Sequence, residues 1–179
     1  MKPLNTFFWI VFALTMGIYA TMLIWSLPTI SSAAGGLMPF DMRPSGYSFE
    51  EAKTFLAALP QDIVAFYRDV QSNMLDMAYP GLLGISLFLA IGILAPDAFG
   101  RWKWLLALIA IPGSVFDYME NTNIRLMLFL GPDNITPEIV ATASERTQSK
   151  AMFTTIAMSV LLILLIVWGW NKFRARKAT

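Results

Sequence analysis

The 179-residue chain contains no cysteine and no histidine. The first absence excludes disulfides, thiolate nucleophiles, iron–sulfur clusters and Cys-ligated zinc. The second removes the commonest metal ligand, histidine-ligated haem and imidazole acid–base chemistry. Charge is also scarce and balanced, 13 Lys and Arg against 12 Asp and Glu, so no basic field invites nucleic acid as a partner. The sequence has no internal repeat, Rossmann glycine pattern or P-loop. Chemistry is left to carboxylates, Lys, Arg, Tyr and hydroxyls, with no cofactor or metal expected, and chelators selective for soft metals should leave the protein unaffected.

What the chain has is apolar length. Hydrophobic residues make up 56% of it, and Thr6 to Leu27 and Ala151 to Trp170 carry no charge at all. A helix needs about 20 such residues to cross roughly 30 Å of hydrocarbon. A soluble globular domain is therefore excluded. The pattern predicts an all-α membrane protein, a single domain over 1–179 built as a four-transmembrane-helix bundle. The spans fall near 5–27, 76–94, 102–130 and 150–171, with external segments 28–75 and 131–149. The first run exceeds the apolar core of about 7–15 residues found in signal peptides. It is read as a retained anchor, with Ser31-Ser32-Ala33-Ala34 as linker.

Orientation follows from the cations. Lys2, Arg101, Lys103, Lys172, Arg174, Arg176 and Lys177 share one side of a four-span arrangement, which the positive-inside tendency makes cytoplasmic. The opposite connections are acidic in balance. This predicts both termini inside, in a bacterial inner membrane. All six Trp lie near predicted helix ends, as an interfacial belt requires.

The external segments carry helix signals. Ser48-Phe49-Glu50-Glu51 has the capping-box pattern ahead of an amphipathic run that should break at Pro60. A second helix is expected from Asp62, continuing past Pro80 with a kink. Thr136-Pro137 places an N-cap before Pro at the first helical position, so the last helix should begin there and stand about three turns above the membrane. Together these form a short helical cap on the non-cytoplasmic side. Gly46-Tyr47-Ser48 reads as a bend, or alternatively as a lid. The Asn134-Ile135-Thr136 sequon, followed by Pro137, carries little weight.

The third span holds the chemically informative residues. Asp117 lies about 22 Å along it at 1.5 Å per residue, so it is expected near mid-membrane. Glu120 and Asn121 follow at i+3 and i+4, and Arg125 at i+4 from Asn121, giving one polar stripe. Each carboxylate in hydrocarbon costs at least about 2.5–3.5 kcal/mol, so the stripe should face the bundle interior. Arg125 could reach back to Glu120. Asp76 and Tyr79, beside Pro80-Gly81, and Lys150 could converge on the same place. Taken singly, Asp76 is expected as an interfacial helix cap and Lys150 as a side chain snorkelling to the surface.

Two readings stay open. In one, Asp117 and Glu120 form an acid–base or binding pair, with Asn121, Arg125, Asp76, Tyr79 and Lys150 around it, for a small lipophilic or amphiphilic molecule. In the other, the stripe is an interhelical clasp in an accessory subunit of a larger membrane complex or a homo-oligomer. Proton or cation translocation ranks third, because spans one and four are nearly pure hydrocarbon. The bilayer is the one partner the composition requires, and enzyme status stays open. A cavity lined by the two carboxyls would favour a site; dry, paired contacts would favour the clasp.

Overall fold

The computed structural model describes residues 3–177; the predicted topogenic Lys2 lies outside them. Every regular element among the described residues is helical. We number them α1 (Pro3–Ala33), α2 (Phe49–Ala58), α3 (Gln61–Leu94), α4 (103–130) and α5 (Pro137–Lys177). Helices α1, α3 and α5 are long and apolar enough to cross a membrane. Helix α4 packs along α3 and α5. Asp117, Glu120 and Arg125, and the short 3₁₀ turn Leu108–Ala110, set it apart from the other three.

Helix α1 runs further than expected. Ser31–Ala33 are its last turn rather than linker, and the chain leaves the helix at Gly35 and Gly36, with φ of +67° and +87°. Glycine enters that left-handed region without a Cβ penalty, which is why the helix stops there. Two segments are wound as π-helix, Met22–Ser26 in α1 and Tyr67–Leu75 in α3. They meet where Ser26 Oγ donates to Gln71 Oε1 at 2.5 Å. Wider π turns are uncommon and often mark functional positions.

The segments around α2 and at the start of α5 follow their helix signals closely. The Ser48 hydroxyl accepts from the Glu51 amide, and the Glu51 carboxylate accepts from the Ser48 amide at 2.7 Å. Helix α2 ends before Pro60, where α3 begins. Thr136 Oγ1 accepts from the Ile139 amide at 3.4 Å, and α5 starts at Pro137 as expected. Phe40, Phe55, Tyr67, Ile124, Met127, Val140 and Ala143 form one buried core between cap and bundle. Burying each large apolar side chain stabilises by about 1.5–3 kcal/mol. The bend at Gly46 is pinned, because the Tyr47 amide donates to Ser144 Oγ on α5 at 2.8 Å. It is an anchored return rather than a free lid.

Five of the Trp side chains, at 9, 25, 102, 168 and 170, are exposed as a belt requires. Trp104 instead turns inward, stacked on Phe88 at 5.4 Å over the space that Gly92 leaves open.

Candidate functional site

The polar stripe of α4 divides between two neighbours. Ser114, Tyr118 and Asn121, spaced at four and three residues, all bond backbone carbonyls of α3. Ser114 Oγ donates to Pro80 O at 2.7 Å, Tyr118 OH to Met77 O at 3.1 Å, and Asn121 Nδ2 to Asp76 O at 3.0 Å. Proline has no amide hydrogen, so Pro80 leaves the Asp76 carbonyl four residues earlier without its helical donor. Asn121 replaces that donor.

Asp117 and Glu120 face α5. Lys150 Nζ lies 3.2 Å from Asp117 Oδ1 and 2.5 Å from Glu120 Oε2. Thr147, one turn before Lys150, donates to Glu120 Oε1 at 2.6 Å. Glycine at 113 lets the helices come this close: a Cβ there would stand 3.3 Å from the Thr154 backbone nitrogen. Lys150 therefore does not snorkel outward. Both carboxyls are buried, Glu120 completely.

Two more carboxyls complete the cluster. Asp76 is only 3% exposed, and its Oδ2 accepts from Gln71 Nε2 at 2.9 Å. It is not an interfacial cap but the end of a buried relay running Ser26 to Gln71 to Asp76. Asp41, on the turn Phe40–Met42, accepts from the fully buried Tyr67 hydroxyl at 2.5 Å. Asp41, Asp76, Asp117 and Glu120 all lie within electrostatic range of Lys150. Several buried acceptors lack a hydrogen-bond donor, including Asp41 Oδ1 and Asn121 Oδ1. Burial also pushes the Tyr47 phenol, above the cluster in the cap, well over its ordinary value, so it stays a neutral hydroxyl.

The other expected members stand aside. Arg125 does not reach back to Glu120; its Nη1 donates to Asn73 Oδ1 at 2.9 Å. Tyr79 stacks on Tyr19 at 5.7 Å. Neither the apolar cavity between α1, α3 and α5 nor the groove beside Met42 and Glu50 touches Asp117, Glu120, Asp76 or Lys150. Among the described residues, no three acidic side chains are grouped to hold a metal ion. Lys150 lies 18 residues before Trp168 on α5, about 27 Å along the helix.

Asp41, Tyr67, Gln71, Ser26 and Thr147 join the site with no local pattern in the sequence to mark them. A spacing rule along one helix has no means of finding partners on three others. No family model, no curated protein and no solved structure matches the chain, so function is argued from these contacts.

Proposed function

We propose that the protein is a multi-pass, four-span membrane protein whose buried acidic cluster binds a small amphiphilic molecule with a cationic head group. The observation that carries this reading is the charge count: Lys150 pairs with Asp117 and Glu120, and Asp41 and Asp76 lie within its electrostatic reach, so four carboxyls share one ammonium group. Fully ionised, the cluster would hold a net charge of −3, an imbalance that water-poor surroundings do not tolerate. Protons or a bound cation must supply the difference, and the unpaired acceptors Asp41 Oδ1 and Asn121 Oδ1 are chemically suited to an alkylammonium donor. The distance from Lys150 to the Trp168 belt is close to a full hydrocarbon thickness. That supports a site near the outer membrane interface, under the cap, rather than the mid-membrane position expected from α4 alone. Both termini would then be cytoplasmic in a bacterial inner membrane. The cluster could also process its ligand by proton transfer between carboxyls.

A second reading, an interhelical clasp within an accessory subunit, is favoured by the three α4 side chains that bond the Pro80 region, by the Lys150 pairing and by the lack of contact between either described cavity and the two carboxyls.

The deciding experiment is thermal unfolding of the purified full chain with long-chain alkylamines, the matching alcohols and the matching fatty acids. The binding reading expects stabilisation by the amines alone, abolished by Asp41→Asn with Asp76→Asn. Native mass spectrometry on Asp117→Asn with Glu120→Gln should show loss of any co-purifying small molecule while the fold persists. Equal response to all three head groups, or a variant that sheds a protein partner instead, assigns the cluster to the clasp.

A further inference from the structure

A second feature lies at the opposite end of the bundle. Helices α1, α3 and α5 diverge around a cavity of about 690 Å³, within the range of ligand sites, roughly 300–1,000 Å³. Its wall is almost wholly apolar, formed by residues such as Phe8, Phe12, Leu83, Leu87 and Leu165, and it reaches inward to the hydrogen-bonded pair Thr15 and Ser86. It opens laterally, since Trp9, Met16, Leu165 and Trp168 on its rim are exposed.

The shape argues against a helix as occupant. Helices pack in membranes through rows of small residues, whereas this wall is bulky apart from Ala90, Ser86 and Thr15. A flexible hydrocarbon chain needs no such row. The rim supplies the complementary head-group chemistry. Lys172 follows Trp168, a residue of that rim, by one turn, with its Nζ 4.8 Å from the indole. Arg101, Lys103, Lys172, Arg174, Arg176 and Lys177 share this end of the bundle with Asp97 as the one described acid. Basic side chains beside an interhelical groove attract anionic head groups.

We infer that this groove is a binding site for an anionic phospholipid, with an acyl chain between α1, α3 and α5 and its phosphate against Lys172. The site is separate from the acidic cluster and stands whether or not that cluster binds a ligand.

The test is native mass spectrometry of the full-length protein in a neutral detergent, titrated with phosphatidylglycerol or phosphatidylcholine. The expected result is one retained phosphatidylglycerol under detergent conditions that strip phosphatidylcholine, with a preference of about tenfold. Lys172→Gln should bring the two lipids level. Met16→Trp fills the groove from an exposed position and should abolish retention at unchanged helicity and melting temperature. Should that variant fail to fold, Leu165→Trp, also on the exposed rim, makes the same test from α5. Equal retention of both lipids by the wild type, retention that survives a folded groove-filling variant, or a lipid-free dimer that covers the groove would each overturn the inference.

Discussion

Asn121 donates its side-chain amide to the carbonyl of Asp76, the group that Pro80 deprives of its helical partner. One residue on α4 thus repairs a defect created on α3. The pairing makes a reciprocal prediction. Asn121→Ala should destabilise the fold by about 1–3 kcal/mol through an orphaned buried carbonyl. Pro80→Ala supplies the missing amide, so the double variant should lose less than the two single variants together. Chemical unfolding of all four proteins checks this; strict additivity would break the proposed link.

Lys150 is the cation shared by Asp117 and Glu120. Lys150→Met should cost about 3–5 kcal/mol because it strands buried carboxyls. Adding Asp117→Asn and Glu120→Gln should recover part of that loss. Thermal unfolding in one detergent measures both, and a triple variant no better than Lys150→Met would show that the charges are not the cause.

Acid should loosen the start of α2. The Ser48 amide and hydroxyl hold the Glu51 carboxyl below its ordinary value of 4.5. A lowered folded-state pKa stabilises above the unfolded value, and that contribution is lost as pH falls through the lowered one. The protection factor of the Ser48 amide, its exchange rate referred to the intrinsic rate at the same pH, should therefore fall as the solution is acidified below about pH 4.5, while Glu51→Gln should remove this loss of protection. A wild-type protection factor that is flat with pH would contradict the assignment.

Close approach of α4 and α5 depends on Gly113. A Cβ there meets Thr154 Oγ1 at 2.7 Å and backbone atoms at 3.3 and 3.4 Å, so Gly113→Ala should separate the helices and cost about 1–3 kcal/mol. Spin labels on the exposed ends of α4 and α5 should report a longer distance. An unchanged distance and melting temperature would refute the packing role.

The absence of native cysteine makes each introduced thiol unique, which allows a direct test of four spans. Ala98→Cys and Ala175→Cys should react with impermeant maleimide on one membrane face, Ser45→Cys and Asn134→Cys on the other. Labelling of Ala98→Cys and Asn134→Cys from the same face would mean that α4 does not cross.

Local signals in the chain carried much of this architecture. The Ser48–Glu51 box, Pro60 and Thr136-Pro137 fixed helix ends because capping is settled within four residues. The stripe from Asp117 to Asn121 was legible because helical periodicity is local as well. Its division between two partners was not, since the neighbours of each face are set by tertiary packing. The inward turns of Lys150 and Asp76 escaped for a related reason: their terminal positions suit a surface role equally well, and only Asp117, Glu120, Gln71 and Thr147 decide otherwise. The π-wound stretch from Tyr67 to Leu75 has no composition that announces it.

Helix α5 has 41 residues, about 60 Å of unbroken rod, twice the depth of hydrocarbon it must cross. Val140 and Ala143 hold the cap core near one end, and Trp168 and Trp170 ride at the other. No hinge separates them. A thinner bilayer, which makes such a rod lean, would swing the helices around Val140 sideways as a lever swings its load, turning membrane thickness into lateral displacement of that end.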